Sequence, residues 1–258
     1  MKHFLIASAA LVPAWSAASA QESEDLRVRV GLGAQVRPEF PGADSTEVAP
    51  LWRINVAHGT EPFKFSAPDY SFGIPLISTG GFSVGPAANI ASGRKNSDLN
   101  PPVGKVPTTI EAGAFASYQP SDSLYLRAEA LKGLGGHDGI AGTIGADQIW
   151  RDGDRYVFSI GPRILFSDGR YQWAYFGVSP AVALASGLPA YRPSGGIHGV
   201  AAATSISYQF NPRLGLFGYG RYERLVGDAA KSPIVRELGS RNQLSGGLGL
   251  SYTFTIKR

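Results

Sequence analysis

Proton-transfer chemistry would fall to three of the four histidines, His58, His137 and His198, with His3 in the N-terminal leader. His137 precedes Asp138 in Gly135-Gly136-His137-Asp138-Gly139, a base beside a carboxylate able to orient it. A loop flanked by glycines holds such geometry poorly, and the sequence has neither a G-x-S-x-G elbow nor an H-E-x-x-H helix. Histidines scattered through turns also make a weak metal site, and no cysteine is present to supply a thiolate, a disulfide or a lipid anchor. The expectation is a protein that is not an enzyme and has no cofactor.

A second set of residues points elsewhere. Arg27, Arg29, Arg53, Glu111, Arg127, Glu129, Arg163, Arg221 and Glu223 lie on the more polar faces of segments whose other faces are apolar. Charges in such positions line a pore, or pair across it and close it. The mixed signs favour pairing and a narrow or sealed interior; a narrow channel for small solutes or antibiotics is the alternative.

The segments that position these charges alternate with the period of a strand. Val28, Val30, Leu32, Ala34 and Val36 interleave with Arg27, Arg29, Gly31, Gly33 and Gln35, and Leu244 to Phe254 repeats the pattern near the end. Apolar stretches of roughly 9 to 13 residues suit a tilted strand crossing a bilayer. Strong turn signals separate them, among them Gln119-Pro-Ser-Asp122, Arg151-Asp-Gly-Asp154 and Asn211-Pro-Arg213. Aromatic residues such as Trp150 and Tyr156 flank the turns, as in an interfacial girdle. Segments near 26–37, 47–57, 62–77, 82–92, 108–118, 123–133, 140–150, 155–167, 173–183, 198–210, 214–226 and 242–254 predict about twelve strands, with a bulge or edge at Pro68.

Residues 1–20 read as a secretory signal peptide: Lys2, an apolar run from Phe4 to Val12, and Ala18-Ser19-Ala20 at the cleavage site. Residues 21–258 form one domain with 23 basic and 20 acidic side chains once Lys2 is removed, a balance that gives no reason to expect nucleic acid. Glycine is abundant at 33 of 258 residues, charged residues are scarce at 17%, and no stretch is long and apolar enough for a membrane helix. Lys and Glu are too few on the polar faces for a soluble sheet. The expected fold is all-β, a single antiparallel barrel with its oily face toward outer-membrane lipid.

Two loops stand out. With both termini periplasmic, the strand count puts 93–107 in the periplasm, where Arg94, Lys95, Asp98 and Lys105 would form a partner-contact loop. In 227–241, Ser232 suits an N-cap, Pro233 a first helical position and Gly239 a left-handed residue past the end. A helix over 233–238 would then sit in a lid or plug loop carrying Asp228, Ser232, Pro233, Arg236 and Arg241.

Gly227 to Gln243, Tyr175-Phe-Gly-Val-Ser-Pro180 and Ala185-Ser-Gly-Leu-Pro-Ala-Tyr191 carry a family resemblance, with Pro38 to Asp44, Gly81 to Pro86 and Glu111 to Phe115 in support. The sequence resembles the MipA/OmpV family of outer-membrane proteins, named for the MltA-interacting protein. That resemblance implies a barrel in the Gram-negative outer membrane scaffolding a lytic transglycosylase and a penicillin-binding protein. Members are also linked to adhesion and antibiotic susceptibility, so a surface adhesin is a further alternative. Thr255-Ile-Lys-Arg258 extends past Phe254, where barrels of this kind usually stop on the aromatic residue.

Overall fold

The computed structural model describes residues 25–257, and the expected signal peptide lies outside them. One antiparallel sheet curls into a barrel. Ten strands are long: β1 (Leu26–Pro38), β2 (Thr46–His58), β5 (Phe82–Ala91), β6 (Thr109–Ser121), β7 (Leu124–Leu134), β8 (Ile140–Asp152), β9 (Tyr156–Ser167), β10 (Gly196–Gln209), β11 (Leu214–Leu225) and β12 (Asn242–Ile256). Two are short, β3 (Phe72–Gly73) and β4 (Ile77–Thr79).

The first long strand pairs with the last, Leu26 opposite Ile256 through Val36 opposite Gly246. Neighbouring strands then pair in sequence from β12 back to β5, which carries β3 and β4 on its other edge. Between β2 and β3 no register is paired among the described residues; there Trp52 and Phe72 meet across the seam, ring centroids 5.4 Å apart.

The outward faces are oily. Leu32, Ile54, Ile90, Ile110, Ile144, Ile160, Leu248 and Leu250 are all exposed to the surroundings. So broad an apolar belt belongs against lipid rather than water. Outward aromatics concentrate at one end: Phe82, Tyr118, Trp150, Tyr156, Phe158, Tyr208, Phe210, Tyr252 and Phe254 flank the turns at 80–81, 122–123, 153–155 and 210–213. Leu26, His58 and Ile256 share that end. The connections at the opposite end are 39–45, 92–108, 135–139, 168–195 and 226–241.

Two segments depart from the sequence reading. Residues 173–183 are helical: α1 (Gly169–Phe176) and α2 (Pro180–Ser186). The Asp168 carboxylate accepts the Tyr171 N–H at 2.9 Å and opens α1, and Ser179 caps α2 with Pro180 in its first turn. Tyr171, Gln172, Tyr175 and Phe176 are buried, a recurrence of four rather than two. The expected strand over 62–77 is also absent. Pro62 and Pro68 bracket a segment that turns inward after Gly59 (φ +49°) and rejoins the sheet only at Phe72. Pro68 therefore marks neither bulge nor edge.

Each departure removes one expected crossing, leaving ten long strands, so sidedness is inverted only between them. Because 59–71 does not cross, β5 runs toward the long-loop end, and 92–108 joins the other long loops there. The expected placement of 93–107 at the short-turn end is corrected.

The long-loop end is covered by a compact cap. Two more helices, α3 (Gly227–Lys231) and α4 (Pro233–Glu237), pack with α1 over a buried cluster that includes Phe40, Leu99, Val106, Tyr175, Phe176, Ala229, Ile234 and Val235. Four loops contribute to this second core. Ser232 caps α4 as expected, accepting the Ile234 N–H at 3.2 Å while its hydroxyl donates to the Phe176 carbonyl at 2.7 Å. Gly239 is not left-handed. Its role is close approach, since a Cβ there would lie 2.1 Å from the Gly42 carbonyl oxygen.

Candidate functional site: a plugged lumen and its cap

The inner wall begins with alternation. On β7, Leu126 and Ala128 stand one step from Arg127 and Glu129, so the strand that turns leucine outward turns its charges inward. The same logic places Glu111, Arg163, Arg221 and Glu223 inside, with Arg27, Arg29 and Arg53 in the half nearer the short turns. A charge in such a space is stable only with partners, because the cost of removing it from water is several kcal/mol in order of magnitude.

The partners come largely from the inward segment 59–71. Arg163 forms a two-pronged pair with Asp69, Nε to Oδ2 at 2.9 Å and Nη2 to Oδ1 at 3.1 Å. Its Nη2 also donates to Asp147 Oδ1 at 2.8 Å, and the Tyr70 hydroxyl donates to the other Asp147 oxygen at 2.9 Å. Arg221 donates to Glu223 at 2.6 Å and lies 4.0 Å from Asp69. Ser71 donates to Glu129 at 2.6 Å, and Arg127 donates both to Glu129 at 2.9 Å and to the Ser71 carbonyl at 3.0 Å.

Apolar contacts fix the lower half of the same segment. Phe65 meets Tyr125 edge-on at 5.2 Å and packs in a cluster with Ile149, Ala67 and Tyr70. Arg29 stacks on Phe63 at 4.0 Å, while Asp154 accepts from the Phe63 N–H at 2.9 Å and from Arg27 at 3.1 Å. The segment thus runs through the lumen held by ion pairs at one end and rings at the other. Arg27, Arg29, Arg127, Glu129 and Arg163 are spent on it, while Glu111 is bonded to His137 and Asn89 and Arg53 to Asn55.

His137 is buried beneath the cap, and its Nε2 lies 3.0 Å from Glu111 Oε1 rather than against Asp138. The Gly139 N–H points at Nδ1 from 3.1 Å, which makes Nδ1 the acceptor and Nε2 the donor. Asn89 fills the other Glu111 oxygen at 2.7 Å. His198 Nδ1 lies 3.0 Å from the Ser167 hydroxyl, both buried in the sheet wall. His58 is exposed at the end of β2. His137 and His198 are thus bonded into the cap and the wall, and no group of metal-ligating side chains gathers among the described residues.

The loop residues have mixed placements. Arg94 is buried and donates to the carbonyls of Tyr175 at 2.7 Å, Ala174 at 3.2 Å and Gly104 at 3.1 Å, tying the 92–108 loop to α1. Burial away from water lowers its guanidinium to a pKa of about 10. Asp98 accepts the Lys95 N–H at 2.6 Å, and Lys105 is exposed. In the cap, Pro233 is buried while Arg236 and Arg241 face outward. Asp228 accepts from the Ser194 N–H at 3.0 Å and hydroxyl at 2.6 Å, and those bonds, with Lys231 at 3.3 Å, hold its carboxyl at a pKa of about 2.

Sequence reasoning missed Asp69, Tyr70, Asp147 and Asp154. Asp147 was detectable, because it shares the inward parity of Gly145 and Ile149 on β8. Asp69 and Tyr70 fell within the expected 62–77 strand, which does not form, so their facing was not readable.

Residues 30–254 match the family model described as MltA-interacting protein MipA. No curated protein matches the sequence. Among solved structures, an outer membrane channel from Pseudomonas putida F1 is similar at a TM-score of 0.42 and 10% identity, over 95% of this chain and 100% of that one. The outer membrane channel DcaP of Acinetobacter baumannii gives 0.41 and 9%, over 92% and 99%. The outer membrane protein OprG from Pseudomonas aeruginosa gives 0.29 and 12%, over 90% and 97%.

Proposed function

We propose, on the premise that this chain belongs to the MltA-interacting protein MipA family and is an integral outer-membrane β-barrel, that it works as a sealed scaffold for peptidoglycan-remodelling enzymes rather than as a channel. In this reading the barrel anchors a docking rim in the membrane. A lytic transglycosylase binds the periplasmic end and a penicillin-binding protein joins it there.

The observation that carries the reading is the filled lumen. Residues 59–71 occupy the interior, and the pairs Arg163–Asp69 and Arg127–Glu129 use the charges that a conducting path would need. A barrel that passes no solute has its rims left for function. The short-turn end, which holds the start of β1 and the end of β12, is the periplasmic rim in this reading. With 93–107 at the opposite end, docking falls to the exposed turns around Glu61, Asp122, Arg155 and Arg213.

The test uses the absence of cysteine. Single cysteines at Asp122 and Asn211, carrying a photo-cross-linker in living cells, are expected to capture a lytic transglycosylase. Cross-links to such an enzyme only from long-loop positions, or none from either rim, would contradict the proposal.

A further inference from the structure

The cap is not smooth. An open cleft of about 1070 Å³ lies among the 92–108 loop, the 135–139 turn and the α1–α2 region. Four cationic side chains line it: Arg94, Lys105, Arg170 and Arg192. None has a carboxylate within 4 Å among the described residues. Two acids share the lining, Asp138 and the α1-capping Asp168, so positive side chains outnumber negative ones four to two.

Arg94 makes this more than a solvated loop surface. It is only 3% exposed, and the acceptors around its guanidinium are three carbonyls and the face of Phe40 at 5.5 Å. A buried cation whose nearest carboxylate, Asp98, acts only through space is costly, and an anion placed in the adjoining cleft relieves that cost. Trp173 lines the same cleft with 42% of its surface exposed, offering a ring face for an apolar or sugar surface. The space is at the upper end of what small-ligand sites use, about 300–1000 Å³.

We infer that the cleft binds a phosphate-bearing saccharide, its phosphate facing Arg94, Lys105, Arg170 and Arg192 and its ring against Trp173. Several converging cations suit a dianion better than a single carboxylate, and guanidinium groups recognise phosphate through paired N–H donors. The ligand is a free sugar phosphate or the phosphorylated sugar headgroup of a lipid in the leaflet beside the cap. The site is independent of what docks at the other rim.

Calorimetry on the detergent-folded barrel tests this with glucose 1-phosphate, glucose, and micellar diphosphoryl lipid A as probes. Glucose 1-phosphate is expected to bind where glucose does not, and a K105A/R170A/R192A variant should bind at least about tenfold more weakly. All three of these side chains are exposed, so the variant should keep its heat-modifiable gel shift. W173A should weaken glucose 1-phosphate binding as well. Binding of lipid A alone, lost in the triple variant, assigns the site to the lipid headgroup; binding of glucose 1-phosphate assigns it to the free sugar. No binding by either phosphate, equal binding of glucose, or unchanged binding in the triple variant overturns the inference.

Discussion

Asp69 joins two strands that are not neighbours, receiving both prongs of Arg163 and standing 4.0 Å from Arg221. Removing one partner of such a buried pair strands the other charge, so Asp69→Ala should cost about 3–5 kcal/mol. A lower urea midpoint for loss of the heat-modifiable gel shift would register it. Arg127→Ala and Glu129→Ala should also destabilise, since each leaves the other unpaired; stabilisation by both would mean that these side chains face lipid. Asp228 adds a pH signature. Its folded pKa of about 2 lies below the ordinary carboxylate value of 3.8, so its contribution is present above 3.8 and lost as pH falls through about 2. Limited proteolysis should therefore find the 226–241 loop opening at lower pH in the wild type than in Ser194→Ala. The inward arginines were readable from alternation because one apolar and one polar face repeat on every strand. Their partners were not, because Asp69 and Tyr70 sit on a segment whose course is set by prolines and ion pairs rather than by periodicity.

The cap cluster is distinct from the cluster inside the barrel, although Leu225 and Ala141 of the wall join it, and substitutions deep in the cap should largely spare the wall. Phe176 is fully buried in a cluster drawn mostly from the loops, so Phe176→Ala should cost about 3–5 kcal/mol, felt first in the cap. Protease cleavage within 168–195 or 226–241 is expected to accelerate while the folded barrel band persists on gels. Simultaneous loss of both would mean that cap and wall fold as one unit. At this scale the sequence was readable where local chemistry decides. Ser232-Pro233 marked a helix start, and α4 begins there. It misled over 173–183, where alternating Trp173 and Tyr175 resemble a strand, but Asp168 and Ser179 supply helix caps and the surrounding loops bury a helical face. It misled again over 62–77, where Phe63, Phe65 and Ala67 alternate because they pack against the inside of the barrel, not because they belong to its wall.

Across the whole molecule, the wall faces lipid, one end carries short turns and the aromatic girdle, and the other carries the cap. If the short turns are periplasmic, Asn100, exposed in the 92–108 loop, is outside the cell. A membrane-impermeant maleimide should then label Asn100→Cys in intact cells; labelling only after the outer membrane is opened would invert the barrel. The most direct test of the sealed interior is conductance in planar bilayers. The wild-type barrel should give no steady open current, because 59–71 fills the lumen through Asp69, Tyr70 and the Phe63–Phe65 rings. Deleting residues 61–70 should open one. A steady open current from the wild-type protein would contradict the account.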